Sequence, residues 1–432
     1  MTTPDIGGWL RDNASLLRTL DPNDDDFSDL EPLRDIVGTA RVVAIGENTH
    51  RIHEFYQIRH RLTRFLVREL GFTAFVMESG FPEGFAVNEW VTGGAGDLES
   101  LLRHGITYHM GRCAEMRDQL RWMRAQELPV HFYGMDIPDS SASSRPATQT
   151  ALTYLDKVDQ PYADAARGRL MPLYDYLPTD RGGLAWSAPT LQAYLALPPA
   201  ARFEMTARIG ELVERMRAMR VTYVSRSGEE AFEVAYQCAI TGRHTDAFLQ
   251  AMAAGAERTY AGANIRDVAM AENVEWILGR EERIVLAGAN GHVQRWPFSA
   301  PPIINDPLTT VGEHLAASLG DELVVIGTTF GGGELFVHRP IPGGLPGHTR
   351  TSVEELPELA PDSIDELLAS SGMPRFLLDL RSVPTTGVVA ERFAATRSTM
   401  TGSQPSPLDP LAAYDAVVHV GAVTPWHHTL IS

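Results

Sequence analysis

Short apolar runs, each closed by a glycine or polar residue and most followed by helical periodicity, recur along the chain. They are RVVAIGE (41–47), TAFVMES (73–79), VHFYGMD (130–136), RIVLAGANGH (283–292), ELVVIGTTF (322–330), RFLLDLR (375–381) and AVVHVGAV (416–423). Unbroken apolar runs of this length suit strands covered on both faces. Their alternation with helical patterns predicts βαβ units, and so an α/β fold with a largely parallel sheet flanked by helices. From about residue 149 to 278 the strand-like runs thin out and helical patterns dominate, as in ARFEMTARIGELVERMRAMRVTYV. The expected organisation is a first part of the core over 1–147, a mostly helical insertion over 148–280, and a second part of the core over 281–432. The insertion serves either as a substrate cap or as added bulk. The turn-rich stretches 174–190 and 398–410 are expected to be loops, the second a solvated one on the surface.

The strand ends carry the candidate chemistry. In a parallel sheet, ligands bind at the carboxyl ends of the strands. Glu47 and His50 follow the first run, Glu78 ends the second, Asp136 ends the third, and Asn290 and His292 follow the fourth. Four strands thus deliver groups able to move protons, bind substrate or hold metal to one edge. In the helix after the first strand, Phe55, Ile58, Leu62, Phe65 and Leu66 form an apolar stripe that also contains Arg59. A guanidinium there requires a carboxylate, with Glu47 and Glu78 the nearest candidates, unless its long stem carries it out to solvent.

Composition narrows the class. With 37 basic against 55 acidic residues, the 432-residue chain carries a net charge of −18. That argues against nucleic-acid and anionic-membrane partners, both of which need clustered Lys and Arg. Only two cysteines, Cys113 and Cys238, are present, so a disulfide framework is not expected and a cytoplasmic setting is. No secretory leader or bilayer-length apolar stretch is visible.

Of the 14 histidines, His50 and His292 stand out by position, because imidazole near neutral pH can take a proton from water and pass it on. His53, His60, His104 and His109 read as surface or structural residues, and His427 and His428, which could bind metal, read first as part of the tail. There is no GxxxxGK[ST] loop, no GxSxG elbow and no HExxH helix, and the cysteines lack metal-ligand spacing. A Glu/His cluster could hold zinc, so activated water, with or without metal, is the remaining chemistry. Catalysis without a bound ion or other cofactor is the expectation, since no compact ligand motif is present.

The run GENTHRIHEFYQIRHRLTRFLVRELGFTAFVMESGFPEG (46–84) resembles the signature of the erythromycin esterase family. So do FYGMDIP (132–138), NIRDVAMAENVEWIL (264–278) and YDAVVHVGAVTP (414–425). The resemblance implies a carboxylic-ester hydrolase that opens a macrolide or related lactone with water activated by the histidine of a GExxH motif. Carried over by position, that histidine is His50 and the motif glutamate is Glu47, with Arg59, Glu78 and His292 completing the set. Where some members have an H-N-x-H pattern, this chain reads Ala289-Asn290-Gly291-His292. That departure keeps two other readings open: a natural-product lyase, cyclase or transferase on a polyketide-like substrate, and a non-catalytic protein binding a small molecule, haem or metal.

Overall fold

The computed structural model describes residues 6–178, 188–301, 304–342 and 349–428. Eight strands form the main sheet: β1 (Ser15–Leu16), β2 (Val42–Glu47), β3 (Ala74–Gly80), β4 (His131–Asp136), β5 (Ile284–Ala289), β6 (Leu323–Phe330), β7 (Arg375–Asp379) and β8 (Ala416–Val420). Their order is β1-β7-β8-β6-β2-β5-β3-β4. The six from β8 to β4 run parallel, and β7 and β1 close one edge antiparallel.

The alternation of side chains along a strand explains why the runs are apolar throughout. Val43 and Ile45 of β2 face a core shared with helix α1 (His53–Leu70), through Phe55, Ile58, Leu62, Phe65 and Leu66. Val42 and Ala44 face the opposite core, beside Met270, Val274 and Ile277. Fully burying each large aliphatic side chain contributes about 1.5–3 kcal/mol, so both faces of β2 must be covered. Helix α1 ends at Gly71, whose φ of 72° lets its N–H turn back to Leu66 O.

Between β4 and β5 the described residues form helices and no strands. The long ones are α3 (Arg145–Val158), α4 (Pro199–Ala218), α5 (Glu229–Ala253) and α6 (Ala256–Leu278), with α2 (Ala114–Arg124) preceding β4. The helical region has a core of its own, which includes Leu152, Leu155, Ile209, Leu212, Phe232 and Leu249. Helix α6 returns from it to the sheet. The expected 174–190 loop lies largely outside the described residues, and 188–195 is helical.

The 398–410 stretch is not the expected solvated loop. It forms a hairpin of Ser398–Thr401 with Gln404–Pro407. Buried Asp365 accepts hydrogen bonds from Met400 N (2.7 Å) and Thr399 Oγ1 (2.9 Å), which pins the hairpin to the core. No helix among the described residues is long and apolar enough to cross a membrane.

Candidate active site

The β2 end is locked before it presents any chemistry. Asn48 N–H donates to Thr328 Oγ1 (2.9 Å), and its side-chain amide donates to Asp365 Oδ1 (3.3 Å). Arg51 then turns the chain with φ of 68°, a left-handed conformation uncommon for a non-glycine residue. His53 N–H donates to Thr424 O as α1 begins. Gly46 has to be glycine, because a Cβ there would lie 2.1 Å from Asn290 Oδ1. The Asn290 amide bridges to β6, donating to Thr328 O (2.8 Å) and accepting from Thr328 N (3.2 Å). Asn290, expected at the substrate, is thus placed as a strut between strands with both ends of its amide taken up.

This frame brings His50 Nδ1 into a hydrogen bond with Glu47 Oε1. The other Glu47 oxygen lies 3.5 Å from Arg59 Nη1, and both side chains are buried. Arg59 does not reach solvent. It stacks over the Tyr56 ring at 4.0 Å and approaches Phe75 at 5.7 Å, so cation–π attraction offsets part of its desolvation. The His50 side chain stays 41% exposed. Burial works against its charged form, but the charge and hydrogen bond of Glu47, with Glu78 beyond, outweigh it and raise the pKa above 6.5.

A second cluster sits at the ends of β3, β4 and β5. Arg266, on α6, donates from Nε to Asp136 Oδ1 (3.0 Å) and from Nη2 to Asp136 Oδ2 (2.5 Å) and Glu78 Oε1 (2.9 Å). The second Glu78 oxygen accepts from Ala289 N (2.8 Å). Burial alone would raise the Glu78 pKa, yet the positive charges of His292, His50 and Arg266 hold it down at about 2. Asp136, also expected to meet substrate, is fully buried against Arg266. His292 Nδ1 faces Asp267 (3.0 Å), while Nε2 lies 3.1 Å from Arg266 Nη1 and 3.4 Å from Glu78 Oε1. A neutral ring therefore accepts from Arg266, and a protonated one donates to Glu78. Burial lowers the His292 pKa, but Asp267 and Glu78 reverse that and leave it raised.

Arg266, Asp267 and Tyr108 carry this second cluster, and the sequence reading missed all three as site residues. The Arg266 guanidinium lies over the Tyr108 ring at 5.3 Å. Tyr108 and His109 have positive φ, as do the consecutive residues Asp139, Ser140 and Ser141. Ser140 Oγ accepts from Tyr108 N (2.9 Å), and Ser141 Oγ lies 2.5 Å from the Tyr108 hydroxyl. Two strained turns thus brace each other beside Arg266, and such strain persists only where the surroundings impose it.

A parallel α/β sheet with an imidazole–carboxylate pair at its strand ends defines the general class. The profile of the erythromycin esterase family matches residues 67–423, and the chain belongs to that family. It is 26% identical over 391 residues to erythromycin esterase type II of Escherichia coli, covering 87% of this chain and 89% of that one. The fold superposes on a Bacillus cereus protein of solved structure with a TM-score of 0.81 at 22% identity, over 98% of both chains. It also superposes on the open conformation of a mutant of the erythromycin esterase EreC, with a TM-score of 0.77 at 20% identity over 97% of this chain and 98% of that one.

Proposed function

We propose that this protein is an ester hydrolase that opens a macrolide or related lactone with water activated at His50. The observation that carries the reading is the chain of contacts Arg59–Glu47–His50, which ends in a half-exposed imidazole. Glu47 takes Nδ1, fixes the tautomer and leaves Nε2 to accept a proton from water. The water oxygen attacks the acyl carbon while its proton passes to His50. The acyl C–O bond then breaks, and the leaving alkoxide takes a proton from His292, whose protonated form Asp267 and Glu78 favour. Solvent returns the proton from His50 to His292, and the products are an acid and an alcohol. Glu78 and Arg266 hold His292 in place, while the helical region between β4 and β5 acts as the cap that selects the substrate.

Mass spectrometry of the protein mixed with macrolides and linear polyketide esters tests the proposal. Hydrolysis predicts substrates heavier by one water. Loss of one water would make the protein a lyase, and an unchanged panel would leave a binding role.

A further inference from the structure

A cluster of metal-ligating side chains gathers at the α1 N-terminus. His53 opens α1, Glu115 sits in the first turn of α2, and His427 belongs to the C-terminal segment. Glu115 Oε1 lies 2.6 Å from His53 Nδ1 and 2.8 Å from His427 Nδ1, and the two imidazole rings are 4.4 Å apart. One ligand atom from each residue falls within 4.8 Å of the others. Glu115 Oε2 is buried and has no hydrogen-bond partner among the described residues, an arrangement that is costly unless something answers it. The cluster opens into a pocket of about 100 Å³ that Asp21 and Asp118 also line.

From this geometry we propose that His53, Glu115 and His427 form a binding site for a divalent zinc ion, separate from the Glu47–His50 site. Two imidazoles and one carboxylate match the borderline character of zinc, and three protein ligands leave a position for water. In the metal-free arrangement both Nδ1 atoms share one carboxylate oxygen, at hydrogen-bond separations that fit protons. A cation takes the place of those protons; tetrahedral zinc sets its ligand atoms about 3.3 Å apart, so each imidazole must draw back from the carboxylate oxygen by about 0.5–0.8 Å. His427 has the freedom to do so, being 68% exposed. The ion would clip the C-terminal segment to α1 and α2. That segment already meets α1 through Thr424, which donates to both oxygens of Glu54 (2.7 and 2.8 Å). The clip lies three residues from His50, so it would steady the turn that presents His50.

The test is a titration of the metal-free full-length chain with Zn²⁺ against a chromogenic indicator, alongside thermal melting with and without Zn²⁺. The wild type is expected to bind one Zn²⁺ per chain, release protons on binding and melt at a higher temperature with the ion present. His427→Ala, at an exposed position that does not threaten folding, should weaken binding at least about tenfold and abolish the melting shift. His53→Ala should do the same, and His50→Ala should leave the binding constant unchanged. A wild-type chain that takes up no stoichiometric Zn²⁺ overturns the proposal. So does tight binding that survives in His427→Ala, or that disappears in His50→Ala.

Discussion

Arg59 Nη1 lies 3.5 Å from Glu47 Oε2, and neither side chain reaches solvent. Glu47 therefore stands between a permanent cation and a titrating one, His50. Arg59 holds its place on α1 because Tyr56 and Phe75 receive its face, so a charge on an otherwise apolar stripe becomes part of the site. Arg59→Met would keep the stripe apolar but strip Glu47 of its fixed counter-ion. The expected loss is about 3 kcal/mol, the lower end for a broken buried pair, since His50 still partners Glu47. Arg59→Lys keeps the charge but not the planar stack, and should fold better than Arg59→Met while turning over more slowly than the parent. Chemical denaturation and kinetics on the same preparations separate the two effects.

In the proposed mechanism, the pH dependence of activity follows from the raised pKa of His50. Only the neutral ring can take a proton from water, so activity should climb as pH rises through that pKa, with the acid limb centred above 6.5. Removing the Glu47 charge removes the main force that favours the imidazolium. In Glu47→Gln the acid limb should therefore move to lower pH, while the plateau rate falls because the ring is less firmly oriented. An acid limb that stays in place in Glu47→Gln would show that some other group controls it.

Arg266 is the sole residue seen donating hydrogen bonds to both Asp136 and Glu78 among the described residues. Replacing it by Met would leave two buried carboxylates without that cation, at a cost of about 3–5 kcal/mol. Arg266→Lys cannot reproduce the fork, so His292 should lose its donor at Nε2 and its fixed orientation. The expected outcome is a folded Arg266→Lys protein with a reduced rate and an altered alkaline limb, read from a pH–rate profile.

The sequence made the sheet and the first cluster legible for local reasons. Val42–Ile45 must be covered on both faces, Gly46 must clear Asn290, and Glu47 and His50 follow at once. Arg59 was legible because it interrupts a stripe. Of the second cluster, Glu78, Asp136 and His292 were legible as strand-end residues, but Arg266, Asp267 and Tyr108 were not, because they join the others only in the fold: Arg266 and Asp136 are 130 positions apart. Within NIRDVAMAENVEWIL the Arg266–Asp267 pair reads as one polar face of an amphipathic helix. Tyr108 stands in a loop with no periodicity at all. The 398–407 hairpin was hidden for a similar reason, since its anchor is Asp365, on a different segment. Its buried residues, Ser398, Thr399, Met400 and Ser406, are mostly small and polar and resemble loop composition when read alone.

The most direct test of the account is the turnover of His50→Ala on a hydrolysed ester, measured with and without free imidazole. His50→Ala should fold and be slowed by about 10²–10⁴-fold. Added imidazole should return part of the rate, because a small base can enter the space left above Glu47. A His50→Ala protein that turns over as fast as the parent would contradict the claim that His50 activates the water.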